Sequence, residues 1–264
     1  MRTETITSAQ NPKIKQLLAL GEKSSLRRES GLFVLEGLRE LMHALDAGFE
    51  VDTVFFCPEI LGDRLPDTHP ALQEARWVEV SRTIYEKIAY RGSTEGIIAE
   101  VRARKISLSE LRLNDNPLIV VLESVEKPGN LGAVLRSADA AAADAVLICD
   151  PLTDLFNPNL IRASLGAVFT VQVVACESKE AIKWLKSKNI KILTAQLQDS
   201  EWYYDSDMSC GTAIIIGTEA TGLTDIWRQA ADAHIKIPML GRLDSLNASV
   251  SAAVLLFEAV RQRQ

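Results

Sequence analysis

The sequence predicts an α/β protein with a smaller N-terminal α/β domain and a larger C-terminal domain built on a parallel sheet. Its 264 residues, of which 47% are hydrophobic, suit two domains that each bury a core. In the second half, apolar strand-like runs alternate with helical patterns, as in a doubly wound sheet. Residues 102–116 are charged and polar and end before Pro117, so we place the domains at 1–105 and 117–264, with a linker over 106–116.

The N-terminal domain reads as a short alternation of helices and strands. Apolar residues recur at helical spacing in some segments and form short strand-like runs in others, and Gly48 ends one of the helices. The pattern predicts, in order, a helix over 10–28, a strand over 32–35, a helix from 38 to 47, strands over 51–57 and 77–80, a helix over 83–89 and a strand over 96–101.

The C-terminal domain opens with Leu118–Leu122, an apolar run typical of a strand that is covered on both faces. A helix follows with four apolar side chains on one face, at positions 131, 134, 135 and 138. The remaining pattern predicts strands over 145–149 and 168–174, a helix around 181–185, strands over 190–193 and 213–216, and a closing helix over 250–260. This alternation predicts a parallel, doubly wound sheet.

Composition argues against several classes of protein. No apolar run follows a basic start at the N-terminus and no 18-residue apolar stretch occurs, so we expect a cytoplasmic protein without a membrane partner. The cysteines form no C-x-x-C pair, which favours buried free thiols over a disulfide or a metal site. The histidines have no metal-ligand spacing either. These residues are Cys57, Cys149, Cys176, Cys210, His43, His69 and His234.

Charge is distributed unevenly along the chain. The net charge of −6 argues against a protein that binds nucleic acid over its whole surface. Residues 1–28, however, carry six basic and two acidic side chains, a net charge of +4. This segment is either a phosphate-contacting patch or a solvated helix face, and charge alone does not decide between the two. Its basic residues are Arg2, Lys13, Lys15, Lys23, Arg27 and Arg28.

Three polar stretches each follow a predicted strand: residues 128–136, residues 217–223, and residues 237–239 continued by 245–247. An open parallel sheet collects its ligand groups where strands end, so these loops are expected to form one site. A helix that starts after Pro128-Gly129-Asn130 would present unpaired backbone N–H groups to a ligand. The stretches contain neither G-x-G-x-x-G nor a P-loop, which disfavours ordinary nicotinamide and ATP sites.

Taken together, these stretches resemble the motifs of the SpoU family of RNA ribose 2′-O-methyltransferases, of the class whose sheet carries a C-terminal trefoil knot. The three motifs match at 130–136, 217–222 and 237–247, and the resemblance spans about 117–261. The N-terminal domain resembles the small substrate-binding module of many members, through residues 8–12 and 33–37. The resemblance implies transfer of a methyl group from S-adenosylmethionine to a ribose 2′-hydroxyl of RNA.

The resemblance also implies a cofactor site made largely of loop backbone in the knot. Apolar side chains of the third motif suit the faces of an adenine ring, and core packing is the alternative for Ile237. The implied cofactor-binding residues are Leu197, Gly217, Thr218, Ile237, Met239, Leu246 and Asn247.

The implied catalytic residues are Arg136, Asn130, Glu219, Ser245 and Asn247. In the family the arginine acts on the 2′-hydroxyl, sometimes as a base. A free guanidinium stays protonated, so we favour an Arg136 that orients the nucleophile or an RNA phosphate and stabilises the developing alkoxide, over a helix-surface role. Glu219 follows a buried strand and needs a partner, for which Asn130, Arg136 or backbone N–H groups of the third motif are candidates.

Other segments bear on RNA and on assembly. Arg162 matches a family arginine position, so we expect it to contact RNA or to complete the site of a partner subunit. The acidic and aromatic segment 199–205 could stack a base or pack on the sheet, and its acidity favours packing. The closing helix has an apolar stripe wider than one core-facing face requires, which favours a homodimer through the knot and this helix, as in the family. The stripe comprises Val250, Ala253, Val254, Phe257 and Val260, flanked by Leu255 and Leu256.

Three functions compete on the sequence alone. The first is the methyltransferase, with ribosomal RNA favoured over transfer RNA as substrate because the extra N-terminal domain resembles modules of ribosomal members. The second is a catalytically idle RNA-binding relative, and the third is a nucleotide- or small-molecule-binding α/β protein. The presence of Asn130, Arg136, Glu219 and Asn247 favours the first.

Overall fold

The computed structural model describes residues 3–62, 64, 69–90 and 95–264. Arg2 of the predicted basic segment lies outside these residues. The chain divides into two compact units: one comprises Met1–Arg104 and Asp154–Gly166, and the other comprises Lys105–Thr153 and Ala167–Gln264.

The elements of the chain up to residue 104 are β1 (Thr3–Ile6), α1 (Pro12–Glu22), α2 (Ser24–Ser30), β2 (Leu32–Glu36), α3 (Leu38–Asp46), β3 (Val51–Phe56), α4 (Pro58–Leu61), β4 (Arg76–Val80), α5 (Arg82–Ile88) and β5 (Ile97–Arg102). The elements beyond it are β6 (Leu118–Glu123), α6 (Pro128–Ala140), β7 (Ala145–Cys149), α7 (Pro158–Ser164), α8 (Ala167–Thr170), β8 (Val173–Cys176), α9 (Ser178–Ser187), β9 (Lys191–Ala195), β10 (Glu201–Trp202), β11 (Thr212–Ile216), α10 (Asp225–Ala230), β12 (Ala233–Lys236) and α11 (Ala248–Arg263). Short 3-10 turns occur at Pro70–Leu72 and Leu108–Glu110.

In the first unit the described residues form a five-stranded sheet in the order β1-β4-β3-β5-β2. The first three of these strands are parallel, and β5 is antiparallel to both of its neighbours. Helices α1 and α5 cover one face, where Ile14 and Tyr85 pack with Phe55 in the core. The predicted helix over 10–28 is two helices, because Lys23 is extended (φ −104°, ψ 108°) between residues of low helix propensity, Gly21 and Ser24.

In the second unit, all of whose residues are described, seven parallel strands form one sheet in the order β10-β12-β9-β11-β6-β7-β8. Every residue of β6, β7 and β11 is buried, as the continuous apolar runs predict. The predicted α/β class with a large parallel sheet and a smaller N-terminal α/β part is therefore confirmed. The strand order reverses between β6 and β11, which is where an open parallel sheet offers a ligand crevice.

The predicted strand over 168–174 is wrong for most of its length. Residues Ala167–Thr170 form the short helix α8, which packs against α6, and only the last two predicted positions belong to β8. Val168 and Phe169 are buried by this packing, so tertiary contacts override the strand propensity of the run. The sequence analysis also missed β1, α4, α7, β10 and α10.

Residues Asp154–Gly166, which the sequence analysis placed in the C-terminal domain, pack with the first unit. The guanidinium Nε of Arg27 donates to Asp154 Oδ2 at 2.6 Å, and the ring of Phe156 stacks on that of Phe33 with centroids 4.4 Å apart. At Gly166 (φ +87°) a Cβ atom would lie 2.9 Å from His43 Cδ2, so this end of the segment needs a glycine.

The acidic and aromatic segment forms the edge strand β10, which pairs with β12, so it packs at the sheet edge as favoured. Its Trp202 and Tyr204 side chains remain 40% and 47% exposed. The cysteines are free thiols: Cys57 and Cys149 are buried, whereas Cys210 is exposed, against expectation. No helix among the described residues has the length and hydropathy needed to cross a membrane.

Candidate active site

The three predicted loops all belong to the second unit and follow strands of its sheet. The first begins after β6 and runs into α6, the second follows β11, and the third joins β12 to α11. Strands β6 and β11 are hydrogen-bonded neighbours, with Leu122 opposite Ile216 at their ends. The first two loops therefore leave the sheet side by side, and α11 packs against α6.

The carboxylate of Glu219 joins the three loops. Its Oε1 accepts hydrogen bonds from Asn130 Nδ2 at 3.0 Å and from Asn247 Nδ2 at 2.5 Å, and its Oε2 lies 3.0 Å from Lys127 Nζ. Lys127 first, and then Asn130 and the backbone of Ala248, hold the pKa of Glu219 below its usual value, so this side chain is a carboxylate at neutral pH.

Asn247 links this cluster to the start of α11. Its Oδ1 caps the helix by accepting from the backbone N–H of Ser249 at 3.0 Å and from the Ser249 hydroxyl at 2.6 Å. Its Nδ2 is then directed at Glu219 and at Asn130 Oδ1, the latter at 3.2 Å. The side chain thus uses its acceptor for the helix and its donors for the other two loops.

The loop after β11 is a tight turn that closes on itself. Thr218 and Gly222 exchange backbone hydrogen bonds of 3.2 and 3.0 Å, and the Thr218 hydroxyl accepts from the backbone N–H of Thr221 at 3.0 Å. At Gly217 a Cβ atom would lie 2.3 Å from the carbonyl carbon of Gly222, so only glycine allows this approach. The turn holds Glu219 at its exposed tip.

Arg136 lies on α6 with its side chain exposed. In the described parts of the chain its guanidinium has no hydrogen-bond or ion-pair partner. The candidate contact of Arg136 with Glu219 is absent, because the carboxylate is bound by the other two loops and Lys127. The five donors of this guanidinium are therefore available to a ligand.

The predicted cofactor-binding residues line the ends of three strands. Gly217 is buried, Thr218, Ile237 and Met239 are half-buried, and Leu246 and Leu197 are 37% and 51% exposed. Ile237 is therefore not a fully buried core residue. Ser245 does not join the Glu219 cluster, since its hydroxyl donates to Asp244 at 3.2 Å.

The predicted RNA-contacting residues lie in the first unit, and one of them is buried. Arg27 donates to the backbone oxygens of Leu20 at 2.6 Å and Gly21 at 3.2 Å, besides its bond to Asp154, and it is 5% exposed. The prediction that this side chain meets RNA phosphates is therefore wrong: its donors stabilise the fold. The other predicted residues reach solvent, namely Lys13, Lys15, Arg28 and Arg162. Of these, Lys13 is paired with Glu4, and Nη1 of Arg162 donates to the backbone oxygen of Tyr90 at 3.3 Å.

Sequence reasoning missed two residues that contact the candidate site's loops. Lys127 precedes the first motif and pairs with Glu219. A basic residue directly before a polar loop was the sequence signal that could have identified it. Glu123 ends the apolar strand β6 and is 2% exposed, and it accepts two hydrogen bonds from Thr224. An acidic residue that ends an otherwise apolar strand was the signal in this second case.

Two family models match the chain. Residues 117–257 match the SpoU rRNA Methylase family, and residues 11–99 match the MRM3-like substrate binding domain. The first match covers more than half of the chain and contains all three loops.

Relatives and solved structures agree with these matches. The 23S rRNA (guanosine-2′-O-)-methyltransferase RlmB of Photobacterium profundum is 33% identical, over 84% of this chain and 96% of its own. A crystal structure of an RNA 2′-O ribose methyltransferase is 39% identical, with a TM-score of 0.83 over 98% of this chain and 99% of its own. The AdoMet-bound rRNA methyltransferase of Sinorhizobium meliloti is 28% identical, with a TM-score of 0.90 over 99% of both chains.

The parallel sheet, the joined loops and these similarities define the protein as a methyltransferase. The chain belongs to the SpoU rRNA methylase family. The resemblance seen in the sequence is thereby confirmed, whereas the knot itself stays an expectation that the family carries.

Proposed function

We propose that the protein transfers a methyl group from S-adenosylmethionine to a ribose 2′-hydroxyl of ribosomal RNA. The observation that carries the proposal is the junction of three loops at Glu219, with the unpartnered guanidinium of Arg136 on the helix that the first loop begins. The name of the Photobacterium relative and the cofactor of the Sinorhizobium structure support the substrate class and the donor.

The residues present fit S-adenosylmethionine. Ile237, Met239, Leu246 and Leu197 offer partly exposed apolar surface at strand ends, which suits the two faces of an adenine ring. The turn that begins at Gly217 adds backbone groups beside them. When bound, the cofactor supplies an electrophilic methyl group, and this chain's residues would hold it and orient the nucleophile.

The two charged residues of the site have different tasks in this proposal. Arg136 binds the 2′-oxygen or an adjoining phosphate through paired N–H donors and stabilises the negative charge that develops on the oxygen. A guanidinium does not release its proton at neutral pH, so an RNA phosphate oxygen accepts the proton of the hydroxyl. Glu219 already accepts from several donors, which makes it a residue that fixes the loops rather than a base.

The first domain, residues 1–105, is proposed to bind the RNA. The match to a substrate-binding domain supports this assignment, and residues 117–264 then form the catalytic domain after the linker 106–116. The proposed phosphate contacts are Lys13, Lys15 and Arg28 of this domain, together with Arg162 of the segment Asp154–Gly166 that packs with the first unit. Arg27 is left out because it is buried. Each such contact adds counterion release to the affinity.

A homodimer through the knot and α11 is part of the proposal. Leu255 and Leu256 of α11 are fully buried in the unit's own core, whereas Val250 and Phe257 on the other side of the helix are 47% and 49% exposed. An apolar face of this kind suits a second copy of the chain. Small-angle scattering in dilute solution tests it, and a monomer would reject the dimer. We also propose that the protein acts in the cytoplasm, in keeping with ribosomal RNA as its substrate.

Two measurements test the function. The first is titration calorimetry with S-adenosylmethionine and the second is methyl incorporation into purified ribosomal and transfer RNA. Together they distinguish the three functions that competed on the sequence alone. RNA binding without cofactor binding would identify an idle relative, and binding of other nucleotides alone would identify the third class. Mapping of 2′-O-methyl positions in RNA from cells with and without the gene then identifies the nucleotide.

A further inference from the structure

Glu123 is a buried carboxylate at the end of β6 that has no role in the reaction proposed above. Its Oε2 accepts from the backbone N–H of Thr224 at 2.8 Å, and its Oε1 accepts from the Thr224 hydroxyl at 2.5 Å. Thr224 is the residue before α10, and its own side chain does not cap that helix. Burial of a carboxylate is costly unless it is hydrogen-bonded, so these two bonds account for a glutamate at this position.

These two residues lie at the base of the first two loops. Glu123 directly precedes the loop that leads to Asn130, and Thr224 directly follows the turn that carries Glu219. The strands from which the loops start are paired up to Leu122 and Ile216. The bonds between Glu123 and Thr224 therefore join the two loops just beyond the last paired residues of the strands and fix the spacing of the loops.

We propose that Glu123 is a positioning residue for methyl transfer, which holds the turn after β11 in register with the start of α6. The hydrogen bonds of Thr218 with Gly222 lie within the turn and cannot set its position relative to α6. At the tip, Glu219 reaches Asn130 over 3.0 Å, a distance that a small displacement of the turn would break. This inference rests on the proposed function.

The test compares kcat and KM of variants at the two positions. Glu123→Met keeps the length of the side chain but removes both acceptors, and Thr224→Val removes the hydroxyl that donates to one of them. We expect each variant to lower kcat about tenfold, with KM for RNA and the Kd of S-adenosylmethionine changed less than about twofold. The double variant should be no worse than either single one, and Thr224→Ser should recover most of the loss.

Ser178, the first residue of α9, provides a matched control because it contacts the same helix, α10. Its hydroxyl accepts from Trp227 Nε1 of α10 at 3.0 Å and donates to Asp150 at 2.5 Å, in a buried setting. Ser178→Ala removes a comparable anchor of α10 that touches neither loop. We expect it to lower the melting temperature and to leave kcat unchanged.

Hydrogen exchange gives a readout that does not depend on activity. The amides of Thr218 and Gly222 are protected by their mutual bonds, and we expect them to exchange faster in Glu123→Met but not in Ser178→Ala. If the unaltered protein methylates no RNA, the proposed function fails. The comparison of exchange rates still tests whether Glu123 holds the turn after β11 in place. Unchanged kcat and exchange in Glu123→Met, or an equal loss of kcat in Ser178→Ala, would overturn the inference.

Discussion

Glu100 in β5 should make the first unit less stable as the pH rises. The side chain is 4% exposed, and its Oε1 has no hydrogen-bond partner among the described residues. Burial, and then the charge of Asp52, raises the pKa of Glu100 from 4.5 to about 7, against the opposing charges of Arg76 and Lys13. The folded protein therefore holds this proton at pH values where the unfolded chain has released it.

The size and sign of the effect follow from this difference. Below pH 4.5 both states are protonated and the carboxyl has no effect on the free energy of unfolding. Between pH 4.5 and about 7 that free energy falls by about 1.4 kcal/mol per pH unit from this group, a total of up to about 3 kcal/mol. Above pH 7 both states are ionised and the penalty stays constant.

Glu100→Gln removes the ionisable group at nearly constant volume. We expect the variant to gain stability over the unaltered protein as the pH rises from 4.5 to 7, and to keep a constant advantage above that. Hydrogen exchange of peptides from β5 in dilute denaturant measures the unfolding of this unit separately. The exposed Glu29 supplies the control Glu29→Gln, for which no such trend is expected. A stability difference for Glu100→Gln that does not vary with pH would refute the argument.

Four further predictions concern the site, the first unit and α11. Arg136→Lys keeps the charge but loses the forked pair of N–H donors, so kcat should fall at least about 100-fold. The affinity for S-adenosylmethionine, measured by calorimetry, should stay nearly unchanged. Undiminished turnover would exclude Arg136 from the reaction. Glu219→Gln should lower the melting temperature at pH 7. Because the pKa of the carboxyl is lowered in the folded state, the difference in melting temperature between the variant and the unaltered protein should shrink in thermal scans below pH 4.5. Arg27→Met should destabilise the first unit by roughly 3 kcal/mol in chemical unfolding, because it leaves the partly buried carboxylate of Asp154 and two backbone carbonyls without their donor. Arg28→Ala should instead lower the affinity for RNA and the salt dependence of that affinity, at unchanged stability. Phe257→Glu should yield a folded monomer in solution scattering, and a persistent dimer would show that another face is used.

The sequence predicted most of the second unit's sheet, because buried parallel strands leave a strong pattern. The run Leu118–Leu122 is continuously apolar, and the strand is buried throughout. Asn130 was also one of the three candidate partners for Glu219, because polar residues that follow neighbouring parallel strands lie at the same edge of the sheet. The functional roles of these residues stay predictions.

Other features depend on contacts that are distant in sequence. Arg27 and Arg28 are adjacent and equally basic, and only the fold distinguishes them, because the partner of Arg27 is Asp154. Propensity favoured a strand over 168–174, yet Val168 and Phe169 are buried as part of a helix against α6. The periodicity of a short apolar run cannot separate these two outcomes.

The turn that carries Glu219 owes its position to neighbours from separate parts of the chain. At its base Thr224 is bound by Glu123 from β6, and at its tip the carboxylate is bound by Asn130 from α6 and Asn247 from the start of α11. The turn itself is closed by the approach that Gly217 permits. Since no single segment fixes the turn, the site exists only when β6, β11 and α11 are all in place. Assembly of the site is therefore tied to completion of the sheet, and none of the three polar motifs forms the site alone.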